Sequence, residues 1–242
     1  MNGSDTAPPS GAFYREHRPV LPHPLVECSW EQRVDSDAFV QRVLPDACAD
    51  LIVSTAGEAT VVGPATSVQL PRLSGGERLR GLRLRTAAIG PALGLPAYEL
   101  RDLQVPLRDL FPAREAGRIA DQVRRGELPS FLDPGAREPR VERALGGLRR
   151  RARVGDIAED LGMSSRHLRR LVLANTGLEP RTLSRIARFQ CFLDLADHTA
   201  GPSLADLAAR AGYADQAHLA REVRALSGLT PSALLAERRG AA

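Results

Sequence analysis

The chain has no lysine. All 33 of its basic residues are arginine, so every permanent positive charge is a forked guanidinium. Set beside its abundance of alanine and glycine, this reads as a coding bias rather than a chemical requirement. Aromatics are scarce, with six Phe, three Tyr and one Trp, so the cores must be aliphatic. The three cysteines, Cys28, Cys48 and Cys191, lie far apart. They lack metal-ligand spacing, and their odd number predicts reduced thiols in a cytoplasmic protein. No run of about 20 apolar residues is present to span a bilayer. The N-terminus holds Asp5, Arg15 and several prolines and no apolar stretch, unlike a signal peptide. A nucleophile elbow, a phosphate loop and a His/Glu metal motif are all missing, which argues against an enzyme. No cofactor is expected.

What is present is a pattern written twice. Val154, Ile157, Ala158 and Leu161 form one short apolar stripe, and Leu204, Leu207, Ala208 and Ala211 form another. Both have the spacing that puts apolar groups on one side of a helix. Each stripe ends at a glycine, Gly162 or Gly212, able to take the left-handed conformation that closes a helix. A candidate N-cap follows, Ser164 or Asp215. A second amphipathic run then begins, with Leu168, Leu171 and Val172, or with Leu219 and Val223. This is helix, glycine turn, helix, twice over.

The outward positions of the second helices carry Ser165, Arg166, His167, Arg169 and Arg170 in the first unit. In the second they carry Gln216, Ala217, His218, Ala220 and Arg221. Arginine can fork onto guanine and glutamine onto adenine in the major groove. One such arginine is usually part of a solvated face. Two matched helices of donors favour DNA reading.

Residues from about 150 to 239 resemble the DNA-binding domain of the AraC/XylS family of transcription regulators. The resemblance rests on Ile157-Ala-Glu-Asp-Leu-Gly-Met-Ser164, Gly177-Leu-Glu-Pro180, the run Leu207–Arg221 and Ser227-Gly-Leu-Thr-Pro231, in order and at the family's spacing. Val172 and Leu219 depart from the phenylalanine that many members carry. The resemblance implies an all-α domain of two helix-turn-helix units joined by a long helix. It implies double-stranded DNA as partner. Base contacts would come from Ser165, Arg166, Arg169, Arg170, Gln216, Ala217, Ala220 and Arg221. Backbone contacts would come from Ser164, His167, Arg181, Arg185, Arg188 and His218. RNA polymerase, a small-molecule effector and a homodimer are the further partners it implies, with nucleoid-associated localisation and no membrane. An alkyl-transfer repair enzyme carrying a similar domain would need a zinc-bound thiolate cluster, which three scattered cysteines cannot supply.

The connecting segment Arg181–Asp197 holds Leu183, Ile186, Phe189, Phe192 and Leu193 on more than one face, the mark of a buried helix. Charge follows the same division. Residues 140–242 hold 17 Arg against 11 acids, while residues 1–139 hold 16 Arg against 18. The positive half is the one that would meet phosphates.

The N-terminal half reads differently. Residues 1–12 are expected to be a disordered tail, 13–126 a β-rich sensing or dimerisation domain, 127–139 a linker and 140–242 the DNA-binding domain. Short strands are expected over 25–43. Leu44–Thr55 and Ala59–Gly63 flank a glycine turn and predict a hairpin. Ser67–Leu73 and Glu77–Thr86, around Gly75-Gly76, predict another. Leu82 and Leu84 alternate with Arg83 and Arg85, as in a strand with one wet face. Gly81 suggests a bulge or a close approach. A helix is expected from Pro112 to Gly126. The class is therefore α+β, a cupin-like antiparallel partial barrel followed by an all-α domain. Asp46, Cys48 and Asp50 alternate as metal ligands would, but a mixed carboxylate–thiolate set is a poor one. A capped turn entering a strand is the better reading. The N-terminal half resembles small β-rich sensing domains. The alternative to a small effector is a protein partner, which would make the chain a co-regulator.

Overall fold

The structure, a computed structural model, describes residues 12–17, 23–35, 37–55, 57, 59–199 and 201–240. The expected tail over 1–12 and the proline stretch at 19–24 fall almost wholly outside the described residues. Strands β1 (Ala12–His17), β2 (Val26–Val34), β4 (Ala49–Ser54), β5 (Ala59–Val62), β7 (Arg78–Leu84) and β8 (Gln104–Pro106) form one antiparallel sheet, ordered β1-β2-β7-β4-β5-β8. Two short strands, β3 (Phe39–Val40) and β6 (Arg72–Leu73), pair separately. Phe39 and Leu73 close over Cys28, Trp30 and Leu79 on one face of the large sheet, giving the partial barrel its inside.

The first expected hairpin forms, with Leu51 opposite Val61. The second does not. β6 pairs with β3, while β7 lies between β2 and β4. The Gly75-Gly76 turn sends the chain from one sheet into the other. Side-chain alternation then sorts the faces. Ala49, Leu51, Val53, Leu82 and Leu84 face the helical cover, packing with Ile89 and Ile119. That cover is α1 (Ile89–Leu93), α2 (Leu107–Leu110) and α3 (Ala113–Arg124). Gly94 ends α1 in the left-handed conformation at φ 68°. The opposite face is the one read from sequence as wet. It is not wet, because Arg83 is only 8% exposed. Gly81 is a close approach: any Cβ there would overlap the Trp30 indole.

The expected linker is only partly free. Leu132 is buried in the sheet–helix core, and the Phe131 ring sits 5.1 Å from that of Phe111. Helix α4 (Pro139–Arg149) then opens the second half, followed by α5 (Val154–Asp160), α6 (Ser165–Thr176), α7 (Pro180–His198), α8 (Leu204–Ala211), α9 (Gln216–Ser227) and α10 (Pro231–Gly240). Each helix-turn-helix unit has its own core. Val141, Leu145, Ile157, Leu168, Val172 and Ile186 fill the first. Phe189, Phe192, Leu207, Leu219, Val223 and Leu226 fill the second. Helix α7 contributes to both, which is why its apolar residues cover more than one side. Burying a side chain the size of Phe189 or Phe192 contributes about 1.5–3 kcal/mol each.

The repeated tail motif has a mechanical meaning. Gly177 and Gly228 end α6 and α9 in the left-handed conformation, at φ 75° and 76°. Before each stands a wholly buried hydroxyl, Thr176 or Ser227. Thr176 Oγ1 donates to Val172 O and accepts from Leu178 N, while Ser227 Oγ donates to Val223 O and accepts from Leu229 N. Pro180 and Pro231 then start the next helix, where a missing N–H costs nothing.

Candidate nucleic-acid interface

The two reading helices are built alike. Gly162 and Gly212, at φ 64° and 85°, turn the chain after α5 and α8. The Ser164 side chain then accepts from His167 N at 3.2 Å, and Asp215 accepts from His218 N at 2.6 Å. Each cap satisfies a backbone donor that the first turn leaves unpaired. Ser164→Ala and Asp215→Ala are each expected to lower stability by about 1 kcal/mol. The check is the urea midpoint at unchanged slope. Midpoints identical to the wild type would mean that the caps contribute nothing.

Leu168, Val172, Leu219 and Val223 point inward, 1% exposed or less. The opposite sides of the same helices therefore face out. Arg166, His167, Arg169 and Arg170 are exposed on α6, and Gln216, Ala217 and Arg221 on α9. Ser165 and Ala220 are half-buried, and Ser164 is exposed. Among the described residues, the guanidinium groups of Arg166, Arg169, Arg170, Arg181 and Arg221 are engaged with no other side chain. Their donors are free for an incoming acceptor.

Three residues expected at the phosphates sit differently. Arg185 is paired with Glu222 at 2.8 Å, tying α7 to α9. Arg188 lies over the Tyr213 ring, 5.7 Å from its centroid. The His218 ring is half-buried and stacks edge-on against the same tyrosine at 5.3 Å. Helical spacing alone put both arginines on the polar side of α7. Packing of α9 and of the α8–α9 turn against that side leaves both half-buried.

Sequence reasoning missed how firmly the two halves are joined. The segment from Arg42 to Asp50 touches both helix-turn-helix units. Arg42 donates to Glu237 Oε1 and Ser227 O, both at 2.7 Å. Leu44 belongs to the core of the second unit. Pro45 O accepts from Gln190 Nε2 at 2.7 Å, on α7. Ala47, in the left-handed region at φ 65°, belongs to the core of the first unit. The C-terminal end of α6 is also held. A Cβ on Gly90 would fall 2.5 Å from Ala174 O, and one on Gly177 would fall 2.7 Å from Ala97 O. No periodicity in the sequence announces these contacts.

The same segment ends in a buried charge cluster. Arg83 Nη1 lies 3.3 Å from Glu16 Oε1, and its Nε lies 3.3 Å from Asp50 Oδ1 and 3.8 Å from Asp46 Oδ2. Trp30 Nε1 donates to Asp50 Oδ1 at 2.8 Å, and Tyr14 donates to Glu16 Oε1 at 2.8 Å. Asp46 also accepts from Cys48 N at 2.9 Å, the capped turn expected from the sequence. The two aspartates therefore serve Arg83. Burial pushes Asp50 above the usual carboxylate range, against the pull of Arg83. Burial likewise pushes the Cys28 thiol up to about 12 and Cys48 well above its ordinary value. Thiols raised in this way are poor nucleophiles at neutral pH.

Residues 157–237 match the sequence profile of a helix-turn-helix domain, and residues 18–106 match that of a domain of unknown function, DUF6597. No curated protein matches the chain. Among solved structures, ToxT from Vibrio cholerae is similar at 13% identity, with a TM-score of 0.44, over 95% of this chain and 99% of ToxT. ToxT with an unsaturated fatty acid bound is similar at 14% identity, with a TM-score of 0.42, over 93% and 95% of the two chains. The C-terminal domain of AraT, a response regulator from Geobacillus stearothermophilus, is similar at 21% identity, with a TM-score of 0.37. That match covers 42% of this chain and 85% of the AraT domain. No helix among the described residues is long and apolar enough to cross a membrane.

Proposed function

We propose that the chain, whose residues 157–237 match a helix-turn-helix domain, is a transcription regulator of the AraC/XylS kind, and that its two units enter successive major grooves of one duplex. The observation that carries this reading is the pair of capped helices with free, exposed donor tips, joined by one shared buried helix. Ser165, Arg166, Arg169 and Arg170 read bases from the first unit. Gln216, Ala217, Ala220 and Arg221 read them from the second. Ser164, His167 and Arg181 are best placed for phosphates on the outer face, since Arg185 is paired with Glu222 and the His218 ring packs against Tyr213. A rigid α7 would fix the separation at one helical turn of DNA, about 34 Å.

Two measurements test the reading. Selection of bound sequences from a random pool should return two short motifs about one helical turn apart. A single motif would remove one unit from the reading. On the selected site, log affinity should fall linearly with log salt, by about 0.9 per phosphate contacted. An affinity unmoved by salt would contradict binding through arginine.

The N-terminal half is proposed to regulate that binding by taking a small effector or by dimerising. Its support is the Arg42–Asp50 segment, which joins the sheet's charged interior to both helix-turn-helix cores. Calorimetry of the full chain against metabolite pools would show saturable heat for a small effector. Its absence would favour a protein partner.

A further inference from the structure

We propose that the cleft between the two helix-turn-helix units, lined by Arg149, Arg151, Ser184 and Arg188, is a binding site for a single phosphate group. The cleft has a volume of about 160 Å³ and is walled by the end of α4, the middle of α7 and the last residue of α8. That volume is ample for a phosphate or several waters. Its lining is strongly one-signed. Arg149, Arg151, Arg188 and Ser184 stand among its lining residues, with no acidic residue among its walls.

Two further observations set this cleft apart from an ordinary basic surface. Arg188 Nε is buried and has no hydrogen-bond partner, and the hydroxyl of Tyr213, the ring under the same guanidinium, is also buried without one. Arg188 makes no hydrogen bond or ion pair with any described residue, so its outer N–H groups remain available to an acceptor. Glu222 does not fill that role, because Arg185 holds it at 2.8 Å. Arg151 is the second observation. It sits two residues past α4 with φ 65°, a conformation that favours glycine. Its guanidinium lies against Gly212, where any Cβ would overlap it, and donates to Arg210 O at 3.3 Å. An arginine kept in a left-handed position is strain of the kind that marks a site. Three permanent cations with spare N–H groups suit a tetrahedral oxyanion. Its source is either a backbone phosphate between the two grooves or a free phosphate compound. The first of these rests on the DNA-binding reading above, and the second does not.

The full-length protein should be melted in inorganic phosphate, with chloride at matched ionic strength as reference. Arg149→Gln and Arg188→Gln are the variants. Arg149 is exposed at the end of α4, so its variant keeps the test open if Arg188→Gln fails to fold. A free-phosphate site predicts saturable stabilisation of the wild type, with half-saturation at least about tenfold weaker in the variants, as losing one charge-assisted hydrogen bond implies. The general salting-out effect of phosphate does not saturate and would be the same in all three proteins. A backbone-phosphate site predicts no saturable response, but a salt slope on non-specific duplex lower by about one unit in the variants. Either result supports the site. If phosphate neither saturates nor distinguishes the variants, and the salt slope is unchanged, the cleft is no phosphate site. Should the wild type bind no DNA at all, the melting experiment decides alone.

Discussion

Replacing Arg83 by leucine is expected to remove about 3–5 kcal/mol of stability at neutral pH, as breaking a buried ion pair from one side does. The reason is the company Arg83 keeps. Glu16, Asp46 and Asp50 surround it, so its loss leaves three carboxylates in a largely buried space with no counter-charge. The remaining hydrogen bonds, from Trp30 to Asp50 and from Tyr14 to Glu16, cannot replace a full charge. The variant should also respond to pH in a definite direction. Its buried carboxylates would have folded-state pKa values raised above their unfolded values. Stability from such groups is present at low pH and lost as pH rises through the raised values. The deficit against wild type should therefore shrink as pH falls from 7 toward 5. Urea unfolding at the two pH values gives both numbers. A deficit under about 1 kcal/mol, or one independent of pH, would show that the cluster is solvated rather than buried.

The second large effect is on DNA. Arg170→Ala and Arg221→Ala should each cost about 1–3 kcal/mol on the selected site and relax sequence preference at the bases they read. The residues lie in different units with separate cores, so the double variant should lose about the sum, roughly 2–6 kcal/mol. Because both side chains are exposed and engage nothing in the protein, folding stability should be unchanged. Fluorescence anisotropy on the wild-type site gives the affinities, and repeated selection with the double variant gives the preference. An unchanged motif at unchanged affinity would move the reading surface elsewhere.

Both expectations draw on different depths of the sequence. The second comes from features that local rules expose. Glycine closes a helix, serine or aspartate opens the next, and apolar spacing says which side turns inward. Arg166, Arg170 and Arg221 were therefore placed outward by the positions of Leu168, Val172, Leu219 and Val223. The first depends on a strand whose inside face could not be judged from alternation. Leu82 and Leu84 do face a core, as alternation requires, but so does Arg83 on the other side. Burial of an arginine becomes acceptable only when three carboxylates from β1, β4 and the turn before β4 converge on it.

The misassigned hairpin has a related cause. Residues 67–73 and 77–84 are joined by a proper turn, yet β7 is needed between β2 and β4, where its leucines complete the large sheet. Long-range pairing outweighs the local turn. Arg185 and Arg188 show the same limit on α7. Their spacing places them on a polar side, and only the packing of α9 and the α8–α9 turn decides what each of them meets there.

What the sequence by itself determined is the pair of helix-turn-helix units, their caps, the outward donors and the buried connecting helix. All of these follow from spacing over a few turns of one chain segment, where backbone geometry leaves little freedom. Only the tertiary structure decided which arginines remain free, that the Arg42–Asp50 segment binds the two halves together, and that Arg83 is enclosed. Those outcomes depend on side chains distant in sequence meeting at one point. Desolvation and charge pairing there are settled by the full set of neighbours, which no local pattern carries.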